Sequence, residues 1–322
     1  MSEDTSIIDN RKNINKTKKK EKVKKERIWE VDFLRSIPII LVMLYHLCYY
    51  FYDIPPSIFS NYDELKSVYP SYMSFIDFCQ GMFTNKIIVD FLQPFFSGVF
   101  LFVCGVSCSL TRSNLRRSIL LWIVALALSG ITYGVSAIAG INCFIAFGVI
   151  HVMAFSITFY WLIEIIFKYV FKKERVPAIL CLVIGILILS FGILAKEFLL
   201  WEDPIKIKRP SGNNVNIAKV YSDALLSNIH LVALGIKSGG ADYFPIFPNT
   251  GIIFIGIAIG KALYEKNKKS IVPNWNLKIF KPFNFLGRHT LWFYFLSTPV
   301  FIAIIIIAML FMGYKIDFST LL

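Results

Sequence analysis

The chain has 322 residues, of which 56% are hydrophobic and 16% aromatic, and its mean hydropathy is +0.61. This composition excludes a soluble domain, whose surface must meet water, and indicates a protein that has the lipid bilayer as its solvent. The net charge of +13 does not indicate nucleic-acid binding, because the basic residues fall at the ends of apolar segments and in one N-terminal tail.

The first predicted element is the basic tail, residues 1–28, which is rich in lysine and low in apolar residues. We expect it to be disordered or to lie on anionic headgroups on the cytoplasmic side. The remaining residues, 29–322, are predicted to form one transmembrane domain. No small-residue cleavage site follows the first apolar segment, so this segment is predicted to be a retained signal anchor.

Seven apolar segments approach the roughly 20 residues that a membrane-spanning helix needs. They run approximately over residues 33–52, 91–110, 118–138, 143–167, 177–195, 247–264 and 290–312. The fold class is therefore predicted to be all-α, a polytopic bundle of about seven transmembrane helices. Most of the 34 lysine and arginine residues fall on the side of the N-terminus, which predicts an N-terminus inside and a C-terminus outside.

Three connections are longer than a turn requires. Two of them, residues 53–90 and 196–245, are predicted to lie outside, and residues 265–289 are predicted to lie inside. The first outer connection is rich in aromatic and acidic residues, which suits sugar binding but is more typical of an aromatic belt at the membrane interface. The second contains an amphipathic stretch around residues 221–236 that is expected to lie on the surface.

The first span carries two ionisable residues, Arg35 and His46, and such residues inside a membrane are usually functional. They are 11 positions apart, so on an α-helix they share a face to within about 20° and are separated by roughly 16 Å along the axis. Asp32 lies one turn before Arg35 and can pair with it. An arginine can bind phosphate oxygens and a histidine can act as a general base. The alternative is an arginine that reaches the headgroups and a histidine bonded to a neighbouring helix.

His151 lies about nine residues into the fourth predicted span, roughly 12 Å below the outer boundary. His46 is at a similar depth, so the two side chains can converge. His151 is therefore a candidate for a second catalytic or acceptor-orienting role. The alternative is a core histidine that is bonded to a backbone carbonyl.

A cationic cluster precedes the last span on the same side as Arg35. Lys281, Arg288 and His289 belong to it, and they are candidates for a phosphate or nucleotide site. Anchoring to the inner headgroups is the alternative reading. Tyr294 follows six residues after Arg288 and is placed to line the same interior. The four histidines of the chain are dispersed, so no metal site is predicted.

The run from Glu30 to His46 resembles the opening helix of the heparan-alpha-glucosaminide N-acetyltransferase-like family. It also matches the pattern of an arginine, ten residues and a histidine in the wider transmembrane acyltransferase superfamily. Four further motifs follow in the expected order. The first runs from Phe95-Phe96-Ser97-Gly98 through Gly105-Val106-Ser107, and the second is Phe147-Gly148-Val149-Ile150-His151. The third is Asp242-Tyr243-Phe244-Pro245-Ile246-Phe247-Pro248, followed by Gly251, Gly256 and Gly260-Lys261, and the fourth is Leu286-Gly287-Arg288-His289-Thr290-Leu291. The resemblance covers essentially all of residues 30–299.

The resemblance implies an acetyl-CoA-dependent transmembrane acyltransferase. Acetyl-CoA would bind from the cytoplasm, and its acetyl group would pass to an extracytoplasmic glycan or glycolipid by O- or N-acetylation. Arg35 looks like a residue near the CoA phosphates and His46 looks like the catalytic histidine. The location implied is a bacterial plasma membrane, with the lipid bilayer as a partner. Neither nucleic acid nor a metal is expected, and a homodimer is left open.

The sequence departs from the family pattern at three places. Ser36 replaces a glycine, Ser297 replaces a late histidine, and the lysosomal members carry an asparagine at the position of His46. Because Arg35 and His46 could also form an anion or proton path, a transporter or export module is the alternative function. A noncatalytic membrane partner, which only Ser297 supports, is the third.

Overall fold

The computed structural model describes residues 28–59, 63, 67–111, 113–199, 201–207, 215–266, 269–272 and 278–315. Its helices in chain order are α1 (Trp29–Ile58), α2 (Pro70–Thr84), α3 (Gln93–Leu110), α4 (Asn114–Ala139), α5 (Val149–Tyr169), α6 (Ala178–Phe198), α7 (Ile217–Ser227), α8 (Ile229–Leu234), α9 (Ile246–Tyr264), α10 (Phe280–Arg288) and α11 (Thr290–Phe311). A π-helix, Ile87–Leu92, runs directly into α3. The predicted basic tail lies outside the described residues except for Ile28.

Seven helices in the described part of the chain are long and apolar enough to cross a membrane, namely α1, α3, α4, α5, α6, α9 and α11. The predicted all-α bundle of seven spans is therefore confirmed. The only regular strands among the described residues are β1 (Asp203–Pro204) and β2 (Lys237–Ser238), which pair in parallel. Which face of the bundle meets the cytoplasm stays a prediction.

The outside of the bundle is apolar, as the bilayer requires. Leu120 on α4, Leu187 on α6 and Ile307 on α11 are 56%, 63% and 54% exposed. A soluble protein would lose free energy by presenting such contiguous apolar faces to water. These helices therefore form the lipid-facing wall, and the buried side chains lie mainly on α5 and α9.

Small residues let α9 approach α3 closely. A Cβ atom added to Gly105 would lie 2.9 Å from the carbonyl carbon of Ile253, and one added to Gly256 would lie 3.0 Å from the carbonyl carbon of Phe102. In a membrane, where lipid is as apolar as a side chain, helices associate through this kind of close packing. The two glycines therefore fix α9 against α3 in the centre of the bundle.

Two contacts bring together helix ends that the sequence assigns to the same side. Arg35 near the start of α1 donates a hydrogen bond to Ser107 near the end of α3. Asn114 at the start of α4 donates to Glu164 near the end of α5, with both oxygens at 3.2 Å. The alternating up-and-down path of the first spans is therefore consistent with these contacts.

The fourth span begins later than predicted. The sequence was interpreted as helical from Cys143, but α5 begins at Val149. The residues before it are extended because their carbonyls pair with another loop: Ala241 donates to the Phe144 carbonyl at 2.9 Å, and Phe244 donates to the Phe147 carbonyl at 3.0 Å. Non-helical backbone is tolerated at membrane depth where protein satisfies its polar groups.

The outer connections contain more helix than the sequence reading assigned to them. Residues 53–90, interpreted as an aromatic and acidic connection, include α2, which packs against α1. The predicted amphipathic stretch around residues 221–236 is confirmed as helical, since it contains most of α7 and all of α8. Its buried residues, which include Ser222 and Leu225, show that α7 packs on the bundle.

Candidate active site

His46 lies on α1 with one ring nitrogen unused. The Nδ1 atom is buried and has no hydrogen-bond partner. Tyr50 lies one turn further along the helix, with its ring centre 6.1 Å from that of His46, and its hydroxyl donates to Thr298 of α11 at 3.0 Å. A buried polar atom without a partner costs free energy, so a substrate group that bonds to His46 would relieve that cost.

Arg35 and Arg288 meet around one carboxylate at the opposite end of α1. Arg35 contacts one oxygen of Asp32 at 3.4 Å, and the Nε of Arg288 donates to the other oxygen at 3.3 Å. The Arg35 side chain is 26% exposed and that of Arg288 is 41% exposed. The predicted pairing of Asp32 with Arg35 is confirmed, and Asp32 also joins Arg288 to the group.

Arg117 is a third guanidinium at this end, and the sequence reading did not single it out. It contacts the Sγ atoms of Cys104 and Cys108 at 3.3 and 3.5 Å. Those cysteines lie on α3 beside Ser107, the partner of Arg35, and the two guanidinium charges interact unfavourably. The predicted span begins at residue 118, so the sequence places Arg117 just before it, among the basic residues that orient the chain. The structure begins α4 at Asn114 and thereby includes Arg117 in the helix.

Lys281 and His289 lie near Arg288 but take no part in its contact with Asp32. Lys281 and Arg288 are seven positions apart on α10, so they share one face of that helix. Lys281 and His289 are both exposed, and the His289 ring packs on Phe285 at 4.8 Å between ring centres. The structure thus joins Arg35 and Arg288 through Asp32, whereas Lys281 and His289 lie at the periphery.

His151 lies in the first turn of α5, which corrects the predicted depth of nine residues into a span. Its Nδ1 accepts a hydrogen bond from the backbone N–H of Gly148 at 3.2 Å. The proton therefore belongs to Nε2, which lies 3.1 Å from Ser129 Oγ, and Ser129 donates in turn to the Ile145 carbonyl at 2.7 Å. Both nitrogens of this buried histidine are used in holding α4 against the start of α5.

No hydrogen bond or ring contact joins His46 to His151 among the described residues. Each lies in its own set of contacts, His46 with Tyr50 on α1 and His151 with Ser129, Phe147 and Trp122. The two sets are connected through a different residue, Asp242, which the sequence reading quoted only as part of a motif.

Asp242 accepts two hydrogen bonds on one carboxylate oxygen. The Tyr294 hydroxyl donates to it at 2.6 Å and the backbone N–H of Val149, at the start of α5, donates at 3.1 Å. Loss of water around the carboxylate raises the pKa of Asp242 from 3.8 to about 6, although both hydrogen bonds act in the opposite direction. Asp242 has a positive φ of 52°, and its carboxylate fills space that a side chain at Gly148 would occupy.

Tyr294 lies one turn before Thr298 on α11, just as His46 lies one turn before Tyr50 on α1. The two helices pack together, and the Tyr50 hydroxyl donates to Thr298 at 3.0 Å. From this contact we infer that His46 and Tyr294 lie on neighbouring turns of helices that run in the same direction. The polar groups at this height are therefore His46, Tyr294 and, behind Tyr294, Asp242.

The part of the chain that the structure describes contains no group of three or more histidine, cysteine, aspartate or glutamate side chains able to hold a metal ion. What it does contain is two polar regions at different positions along α1. One is rich in guanidinium groups and suits an anion. The other has an unpaired imidazole and a phenol, and it suits proton transfer.

A comparison with protein families matches residues 71–299 of the chain to the family described as heparan-alpha-glucosaminide N-acetyltransferase, catalytic. The matched residues include His151, Asp242, Arg288 and Tyr294, whereas Arg35 and His46 precede them. Comparisons with curated proteins and with solved structures found no match.

Proposed function

Because the chain belongs to the heparan-alpha-glucosaminide N-acetyltransferase family, which implies a membrane acetyltransferase acting on carbohydrate, we propose that it transfers the acetyl group of cytoplasmic acetyl-CoA to an extracytoplasmic acceptor. The acceptor group is an amine or a hydroxyl of a glycan or glycolipid. The observation that carries the proposal is the arrangement on α1, where an arginine site at one end faces an unpaired histidine roughly 16 Å away.

The arginine site is proposed to bind the phosphates of acetyl-CoA. Asp32 contacts Arg35 and Arg288, and Arg117 adds a third guanidinium charge that interacts with Arg35. Such an excess of guanidinium charge in a partly desolvated region favours a bound anion, because phosphate oxygens accept hydrogen bonds from two nitrogens of one guanidinium. Lys281 and His289, both exposed nearby, are proposed to add donors at the entrance.

His46 is proposed to act as the general base. Its imidazole takes the proton from the acceptor O–H or N–H while the acceptor atom attacks the thioester carbonyl. The new C–O or C–N bond forms, the C–S bond breaks, and the CoA sulfur leaves and takes up the proton from the imidazolium. The separation of roughly 16 Å between Arg35 and His46 suits a donor that has phosphates at one end and a thioester at the other.

His151 was predicted to have a second catalytic or acceptor-orienting role, and its contacts support the orienting one. Its two ring nitrogens bond to Gly148 and Ser129, which leaves it no free nitrogen for proton abstraction. We therefore propose that His151 fixes the start of α5, and through it the Asp242 loop. The bacterial plasma membrane, the homodimer and the single domain over residues 29–322 stay predictions.

The test uses the purified full-length protein in liposomes with radiolabelled acetyl-CoA, and with glucosamine or glucose as acceptor. We expect label transfer by the wild type, no transfer by His46→Ala, and a higher acetyl-CoA requirement for Arg35→Ala. Glucosamine offers an amine and glucose only hydroxyls, so the comparison distinguishes N- from O-acetylation. His230→Ala is the matched histidine control, because His230 lies on α8 away from the arginine and histidine regions.

Unchanged transfer by His46→Ala would refute the base assignment. Solute movement without acetyl transfer would favour the transporter alternative. Label that stays on the wild-type protein when no acceptor is present would show that transfer passes through an acetyl-histidine, and loss of that label in His46→Ala would assign it to this residue.

A further inference from the structure

The hydrogen bond between Asp242 and Tyr294 plays no part in the transfer step proposed above. It holds one wall of the proposed site in position. Asp242 lies in the loop before α9 and contacts both α5 and α11 through one oxygen. A carboxylate shielded from water costs free energy unless its partners are well placed. Here the partners are a backbone N–H at a helix start and a phenol at the height of His46, so the Tyr294 hydroxyl has a fixed direction.

The phenol oxygen of Tyr294 still has acceptor capacity. A tyrosine hydroxyl donates one hydrogen bond and can accept others, and the donated one goes to Asp242 at 2.6 Å. Because the Tyr294 hydroxyl proton points to Asp242, the lone pairs of the hydroxyl oxygen point away from the carboxylate. Tyr50 is close enough to Tyr294 to interact with it electrostatically, so Tyr294 lies beside the helix that carries His46.

We propose that Asp242 is a positioning residue for acetyl transfer, which acts by orienting the Tyr294 hydroxyl so that its oxygen accepts a hydrogen bond from one N–H of an acceptor amine. The proton of the second N–H would then go to His46 while Tyr294 holds the nitrogen in line with the thioester. This inference rests on the proposed function. It adds the residue pair that aligns the carbohydrate group, and it gives a role to the carboxylate at which a phenol and a helix start meet.

The ionised form of Asp242 is the one that orients the hydroxyl, since a protonated carboxyl can itself donate. Tyr294 on α11 contacts it, and Tyr50 on α1 interacts with it electrostatically. His151 is bonded to Gly148, the residue whose added Cβ would meet the Asp242 carboxylate. The described residues place no lysine, arginine or second carboxylate in electrostatic contact with Asp242. Its titration therefore follows from its loss of water and from its two hydrogen bonds.

The experiment measures the pH profile of acetyl transfer from acetyl-CoA to glucosamine, together with kcat and the KM for acetyl-CoA, for the wild type and Tyr294→Phe. In Tyr294→Phe the ionised Asp242 has no hydroxyl to orient. The profile of Tyr294→Phe should therefore lose the part of its acid side that follows the titration of Asp242. Its kcat should fall about 10- to 100-fold, with an unchanged KM for acetyl-CoA.

Asp242→Asn keeps an oxygen that accepts from Tyr294 but does not titrate. Its profile should lose the same component of the acid side as that of Tyr294→Phe. Tyr133→Phe is the matched control, since Tyr133 donates to Asp223 at the same distance of 2.6 Å in an exposed pair, and its profile should equal that of the wild type.

Variants that lose activity without any change in the shape of the profile would overturn the positioning role and leave a structural one. A wild type that transfers no acetyl group would refute the proposed function and this inference with it. In that case an infrared titration of the Asp242 carboxyl band, absent from Asp242→Asn, still shows whether Tyr294 holds the carboxylate. The two failures are therefore distinguishable.

Discussion

Replacing Gly287 by alanine should displace Arg288 from Asp32. Gly287 lies on α10 where that helix touches the start of α1, and an added Cβ would lie 2.6 Å from the carbonyl carbon of Asp32 and closer still to its oxygen. Ordinary contact begins at 3.4 Å, so α10 must move away by at least roughly 0.8 Å. The distance of 3.3 Å between Arg288 and Asp32 would then be roughly 4.1 Å, beyond the range of an ion pair.

The expected result has two parts. Overpacking costs about 1 to 3 kcal/mol, so the thermal unfolding midpoint of Gly287→Ala should fall. A guanidinium that no longer reaches the donor site loses about 1.4 kcal/mol of binding, which corresponds to an about tenfold higher KM for acetyl-CoA. The assay is radiolabelled acetyl transfer in liposomes at varied acetyl-CoA, with unfolding measured in detergent.

Two further variants separate crowding from loss of the guanidinium. Arg288→Ala removes the side chain without crowding, so it should raise the KM while the midpoint stays near that of the wild type, because a half-exposed ion pair contributes little to stability. Gly130→Ala is the matched glycine control, since nothing lies within 4 Å of its added Cβ. A Gly287→Ala protein with wild-type KM and midpoint would refute the role of this close approach.

Three other results are expected. Arg117→Ala should raise the KM for acetyl-CoA severalfold in the same assay, whereas Arg116→Ala, at the exposed neighbouring residue, should leave the KM unchanged. Equal KM values for the two variants would show that Arg117 is not part of the donor site. The pKa of Asp242 is raised from 3.8 to about 6, so its stabilising contribution is complete below pH 4 and is lost as the pH rises to 6. Between pH 4 and 7, measured by unfolding in detergent, the wild type should therefore lose up to about 3 kcal/mol of stability that Asp242→Asn does not lose. Alkaline phosphatase fused after Leu322 should be active and one fused after Phe171 inactive, whereas the reverse result would invert the predicted orientation.

The sequence predicts the spans well because hydropathy acts over many residues at once. A segment must be apolar over about 20 residues to cross a bilayer, so the signal survives single polar positions such as Arg35 and His46. The pairing of Asp32 with Arg35 was predictable for a similar reason, since residues three positions apart on a helix are neighbours. These features depend only on local sequence and on helix geometry.

The start of α5 and the role of Asp242 depend on contacts between distant parts of the chain. The apolar run that includes Cys143 and Phe144 has the composition of a helix, but its carbonyls bond to the loop at residues 241–244. Asp242 and Tyr294 are 52 positions apart. Neither periodicity nor composition reports such a pairing, so a carboxylate at the centre of the site was indistinguishable from one in a surface loop.

Helix α1 determines the geometry of the proposed site, and two neighbouring helices fix it at two heights. Arg288 of α10 contacts Asp32 near the start of α1, and Thr298 of α11 contacts Tyr50 further along. Arg35 and His46 lie on α1 between these two contacts, so helix geometry holds their separation constant. In the proposed mechanism, a donor whose phosphates bind near Arg35 would present its thioester near His46. We therefore expect the separation of these two residues to select for the length of the donor, and His46 and Tyr294 to select the acceptor.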